Sequence, residues 1–137
     1  MEKDIINHPS HYAKTHNGCE PIDLAERFPF TIGNAIKYLI RAGNKENTPT
    51  IDDLKKARWY LFRVLKTHTL PVMEIGNLAS KPDSFVETDV VANSFSSING
   101  YIAVLFAGWG TSFSIDTEQI GKCIELIDIE IDRINKA

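Results

Sequence analysis

Apolar residues along this chain return at intervals of three and four, the period of helices that each bury one face. The clearest run is Leu54, Ala57, Leu61, Val64 and Leu65. It follows Thr50-Ile51-Asp52-Asp53, where a hydroxyl and a carboxylate three residues later have the spacing of a capping box, so a helix is predicted from Thr50 to about Thr67. Two shorter helices precede it. Glu20 to Phe28 is one, stopped near Pro29 because proline disfavours helical geometry in the residue before it. Thr31 to Ala42 is the other, with Gly43-Asn44 as a left-handed C-terminal stop.

Two matched apolar seams occupy the end of the chain. Val91, Phe95, Ile98, Ile102 and Leu105 step by four, three, four and three, and Ile120, Ile124, Ile127, Ile131 and Ile134 repeat that rhythm behind an Asp116 cap with Gln119 three residues on. A helical hairpin over 89–137 follows, its joint at Gly108-Trp109-Gly110-Thr111-Ser112. Cys123, Leu126 and Ile129 widen the last apolar face, so a second copy of the chain is expected to cover part of it. Between the halves, Pro71, Gly76 and Pro82 mark a connector over 67–88 with room for a short strand or turn. The polar opening Met1 to Gly18 reads as an arm. The expected fold is all-α, a compact single domain over 1–137 of about five helices with a C-terminal helical hairpin.

Composition narrows the class. A chain of 137 residues buries roughly two thirds of its unfolded surface and needs no staples. Cys19 and Cys123 stand far apart, no secretory leader is evident, and no apolar run approaches the roughly 18 residues needed to cross a bilayer. These features predict a soluble protein of a reducing cytoplasm, with no membrane partner. Residues 1–66 hold 11 Lys and Arg against 8 Asp and Glu, whereas residues 67–137 hold 4 against 10. With a pI near 5.8, a broad duplex-binding face is disfavoured, and a local basic cluster in the first half suits a small phosphorylated ligand better.

That cluster lies in Gly33-Asn34-Ala35-Ile36-Lys37-Tyr38-Leu39-Ile40-Arg41-Ala42-Gly43-Asn44-Lys45. A helix through it gathers Asn34, Lys37 and Arg41 on one face, and Lys45 extends the stripe past the helix end. Arg suits bidentate phosphate contacts, Lys supplies a point charge, Asn adds a neutral donor and acceptor, and Tyr38 is placed to stack on a base. The competing reading is a solvated face.

Other candidates carry less weight alone. His8-Pro9-Ser10-His11-Tyr12 sets two imidazoles and a phenol in a short segment suited to closing over a ligand, although histidines of such segments, His16 among them, are ordinarily solvated. Glu20 and Asp23 at a helix start satisfy the helix dipole, and equally suit a base or a magnesium ion held with a ligand's phosphates. Lys55, Lys56, Trp59 and Arg63 read as ordinary helix pairing with Asp52 and Asp53. Glu125, Asp128 and Asp132 form an acidic stripe without the second acidic helix that a metal-dependent pyrophosphatase needs. A Walker phosphate loop is absent, and the histidine pair is a thin ligand set for zinc, so no resident metal is expected.

Taken in order, His8-Pro9-Ser10-His11-Tyr12, Cys19-Glu20-Pro21-Ile22-Asp23, the Gly33 to Arg41 motif and Asp53-Leu54-Lys55-Lys56-Ala57-Arg58-Trp59-Tyr60-Leu61 resemble the SaV-like, or phage nucleotide kinase-like, family of small phage proteins. The likeness covers residues 7 to about 66. It implies a nucleotide kinase acting on deoxynucleoside monophosphates without a Walker loop, or at least a nucleotide binder, in the cytoplasm of an infected bacterium. Magnesium and ATP would be its cofactors if it is a kinase. The positions that match are His8, His11, Tyr12, Glu20, Asp23, Asn34, Lys37, Tyr38, Arg41, Lys55 and Lys56.

The resulting expectation is a homo-oligomer that binds a nucleotide through His8, His11, Tyr12, Asn34, Lys37, Tyr38, Arg41 and Lys45, with Lys37, Arg41, His11 and Asp23 as the catalytic set. Two alternatives share the sequence. One is a sequestering protein that withholds signal nucleotides of antiphage defence; the other is a helical adaptor for a host protein.

Overall fold

The computed structural model describes residues 19–43, 49–67, 72–73, 88–95, 98–105 and 114–137. Among them are six helices and one two-residue antiparallel ladder, so the fold is all-α.

Helix α1 (Pro21–Ala25) starts with proline in its first turn, where the missing N–H costs nothing. The Glu20 backbone N–H donates to the Asp23 carboxylate at 2.7 Å, and the Asp23 N–H donates to the Glu20 carbonyl at 2.9 Å. The predicted extension to Phe28 does not form. The Arg27 and Phe28 N–H groups instead reach back three residues, to the Leu24 and Ala25 carbonyls, which tightens the chain into a turn before Pro29.

Helix α2 (Phe30–Arg41) buries Ile32, Ala35, Ile36, Leu39 and Ile40. Gly33 is the contact point with α1, since a Cβ there would stand 2.6 Å from the Ala25 carbonyl oxygen. No other residue type permits that approach without displacement. The helix ends as expected at a glycine: Gly43 has φ 80, which reverses the chain toward α3 (Thr50–Thr67). Helix α3 returns along α2 and buries Leu54, Ala57, Leu61 and Val64. The expected capping box is not made. Thr50 is itself the first helical residue, and Asp53 lies fully buried with neither carboxylate oxygen hydrogen-bonded.

The connector carries strand β1 (Val72–Met73), which pairs antiparallel with β2 (Ser114–Ile115), Val72 opposite Ile115 and Met73 opposite Ser114. The first C-terminal seam is built from two short helices, α4 (Thr88–Asn93) and α5 (Asn99–Leu105), where periodicity suggested one. Ser94 explains the end of α4. Its hydroxyl donates to the Val90 carbonyl at 3.0 Å, taking the acceptor its own N–H would use in a helix, and that N–H turns to Val91 instead. The seam is nonetheless buried along its length, from Val91 through Phe95, Ile98 and Ile102 to Leu105.

Helix α6 (Thr117–Lys136) begins with the predicted capping box: Gln119 N–H donates to Asp116 Oδ1 at 3.1 Å, and Asp116 N–H donates to Gln119 Oε1 at 2.8 Å. Ile120, Cys123, Ile124, Ile127 and Ile131 are buried against α3 and α5, and one continuous apolar cluster links all six helices. Ile129 is 64% exposed on the far side of α6. No helix among the described residues is long and apolar enough to cross a membrane.

Candidate functional site

The α2–α3 pair gathers charge around one ring. Tyr38, half-buried on α2, stacks on Tyr60 of α3 with centroids 5.8 Å apart and planes 12° from parallel, and Trp59 meets Tyr60 edge-on at 5.0 Å. Three cations surround the Tyr38 ring: Lys37 Nζ at 4.6 Å from its centroid, Arg41 Cζ at 5.3 Å and Lys56 Nζ at 5.4 Å. Each such contact contributes about 0.5–1 kcal/mol at an exposed site. Like charges 4 Å apart repel by about 1 kcal/mol even in bulk water, and by more near a protein surface. None of the three forms an ion pair with a carboxylate among the described residues. The ring thus holds together a positive cluster that has no counter-charge among the described residues, the arrangement suited to an incoming anion.

The same helix pair carries buried polar atoms that have no hydrogen-bond partner among the described residues. Among the described residues Arg41 Nε, at the end of α2, has no acceptor, and neither oxygen of Asp53, in the first turn of α3, has a donor. Leaving such atoms buried and bare costs about 1–3 kcal/mol each, more where the group is charged. A cleft of about 260 Å³ opens at the same end of the helix pair, walled by Leu39, Ala42, Thr50 and Leu54 and closed by Tyr101 of α5 and Glu130 of α6. Burial, reinforced by the nearby Glu130 carboxylate, pushes the Tyr101 phenol up to about 12. Arg133 holds Glu130 through Nε contacts of 3.0 and 3.2 Å and lowers its pKa.

The predicted residues divide three ways. Lys37, Tyr38 and Arg41 come together as the stripe required, and half-buried Asn34 lies one turn before Lys37 with its side chain bonded to none of the described residues. Asp23 is placed elsewhere in use: its carboxylate takes the Glu20 N–H, and its carbonyl accepts from Arg27 Nε at 2.9 Å. His8, His11, Tyr12 and Lys45 lie outside the described residues. The sequence reads Lys56 as helix pairing and Asp53 as part of a cap, and singles out Tyr60 only within the Asp53 to Leu61 motif. Their spacing of three and four along α3 was the available signal, because it sets Asp53, Lys56 and Tyr60 in one row. Lys55, by contrast, is exposed and does not reach the Tyr38 ring.

The acidic stripe of α6 works in surface pairing. Asp128 accepts from Arg58 Nη1 across to α3, and Asp132 pairs with Lys136 at 2.9 Å. Exposed pairs of this kind are worth at most about 1 kcal/mol.

Comparison with known proteins points to the same half of the chain. Residues 6–62 match DUF3310, a family described as proteins of unknown function. Over 66 residues the chain is 38% identical to the Gene 1.7 protein of Enterobacteria phage T3, an alignment covering 42% of this chain and 40% of that protein. The chain therefore spans well under half the length of the curated relative it matches. No solved structure matches it significantly. The family match takes in α1, α2 and α3 as far as Phe62, and so contains Lys37, Tyr38, Arg41, Asp53, Lys56 and Tyr60.

Proposed function

We propose that this chain is a phage protein that binds a nucleoside phosphate, with the phosphate on Lys37, Arg41 and Lys56 and an aromatic surface supplied by Tyr38, and that it acts as a deoxynucleoside monophosphate kinase in the host cytoplasm. One observation carries the reading: three cations converge on the Tyr38 ring with no carboxylate paired to them among the described residues. Guanidinium and ammonium groups differ in what they offer. Arg41 presents a planar fork matched to two phosphate oxygens, while Lys37 and Lys56 supply mobile point charges. Phosphoryl transfer asks a protein mainly for positioning and charge stabilisation, which such a cluster provides without a Walker loop. Magnesium, if bound, would neutralise the transferred phosphates. A second copy of the chain covering Ile129 belongs to the same proposal.

A sequestering role is favoured by a different observation. The carboxylate expected as a base, Asp23, is engaged in capping α1, and a binder needs the cationic grip with no base at all. Incubation with a panel of deoxynucleoside monophosphates, ATP and magnesium, followed by chromatography, separates the two. New diphosphate is the expected product of the kinase; tightly retained, unaltered nucleotide assigns the binder. Neither product nor retention with any nucleotide removes both.

A further inference from the structure

We infer that Asp53 is the residue that recognises the sugar of the bound ligand, accepting hydrogen bonds from its hydroxyl groups. The inference rests on the reading of Lys37, Arg41 and Lys56 as the phosphate site, and extends it from phosphate to sugar phosphate.

Three observations lead there. Asp53 is fully buried, yet among the described residues neither of its oxygens has a donor and no cation pairs with it. Native proteins rarely leave a buried acceptor unpaired, and a carboxylate is the most costly one to leave so. A carboxylate of this kind is suited to hydrogen-bond donors brought by something else. Second, Arg41 Nε, in the last residue of α2, is a buried donor that likewise has no partner among the described residues, and Asp53 lies in the first turn of α3, the helix packed on α2. A hydroxyl is the simple group that both donates and accepts, and so satisfies a carboxylate and a guanidinium N–H together.

Third, the placement suits a sugar phosphate. Asp53 stands three residues before Lys56 on α3, about 4.5 Å along the axis, a step comparable to the reach across a sugar ring from its phosphate to its hydroxyls. Thr50 and Leu54, three residues before and one after Asp53, line the open cleft, as does Ala42 beside Arg41. Asp53 itself lies behind that wall, fully buried between the cleft residues and Lys56, so a ligand reaches it by displacing them. Carboxylates read sugar hydroxyls in this way in dinucleotide-binding proteins, through the same donor and acceptor chemistry.

Calorimetric titration of the full chain tests this with inorganic phosphate, a ribonucleoside monophosphate and the matching dideoxynucleoside monophosphate, whose sugar lacks the ring hydroxyls. The wild type should bind the ribonucleotide at least tenfold more tightly than the dideoxynucleotide. Asp53→Asn and Asp53→Ala should abolish that preference and leave inorganic phosphate affinity unchanged. Without ligand, Asp53→Asn should melt no lower than the wild type. Persistence of the hydroxyl preference in both variants, an equal loss for all three ligands, or a preference that vanishes when divalent cations are chelated would overturn the assignment. The phosphate reading fails separately, if Lys37→Ala/Lys56→Ala binds inorganic phosphate as the wild type does.

Discussion

Lys56 on α3 holds its ammonium 5.4 Å from the centre of the Tyr38 ring on α2, so the two helices share one cationic, aromatic surface. Lys55, its neighbour in sequence, is exposed and is not among the cations at that ring. Lys56→Ala should therefore weaken binding of a nucleoside monophosphate about tenfold, close to 1.4 kcal/mol, whereas Lys55→Ala should leave it within twofold. Both variants should keep the wild-type melting temperature within a few degrees, because both side chains are exposed. Titration calorimetry alongside thermal melting checks the pair; equal effects from the two would disconnect the Tyr38 ring from ligand binding.

Gly33 sets the distance between α1 and α2. A methyl group there would lie 2.6 Å from the Ala25 carbonyl, a backbone atom that cannot swing aside. Gly33→Ala should destabilise the fold by about 1–3 kcal/mol despite alanine's better helix propensity. Urea denaturation reads the change, and a stabilised variant would contradict the close packing of the two helices.

The start of α6 depends on reciprocal bonds between Asp116 and Gln119. Asp116→Ala should cost about 1 kcal/mol. Asp116→Asn or Asp116→Ser should retain most of that stability, since either still offers an oxygen to the Gln119 N–H. A denaturation series over the three variants distinguishes cap loss from a change of charge.

High pH should unfold the protein through two buried acids. Burial raises the Cys123 thiol to about 12, and burial with Glu130 nearby raises the Tyr101 phenol to about 12. In the unfolded chain these groups ionise near their ordinary values, so the fold favours their neutral forms. The stability they contribute is complete below about 9 and is lost as pH climbs from there to about 12. Stability measured across that window should fall less steeply in Tyr101→Phe and in Cys123→Ala. An unchanged slope in both would mean neither group titrates late.

The helices were legible because periodicity and caps agreed. The Leu54 to Val64 spacing, the Gly43 stop and the Asp116 box each reappear in place, since local bonding and burial demand the same conformation. Local pattern failed where a side chain competed with the backbone. Ser94 takes the Val90 carbonyl and ends α4 inside an uninterrupted apolar seam. It failed again at Asp53, whose spacing from Thr50 fits a cap while its burial is fixed by the packing of α3 in the core. The site was half visible for a similar reason. Lys37, Tyr38 and Arg41 share one helix and can be found by counting residues, whereas Lys56 and Tyr60 join them only through the α2–α3 contact.

The central claim is that the cations around Tyr38 hold a phosphate, and its most direct test is the affinity of a nucleoside monophosphate for the wild type and for Lys37→Ala/Arg41→Ala/Lys56→Ala, measured by calorimetry at low and at high salt. Binding that weakens with salt in the wild type and falls at least a hundredfold in the triple variant, whose far-ultraviolet circular dichroism stays helical, is the result this account predicts. Equal affinity in a folded triple variant would contradict it.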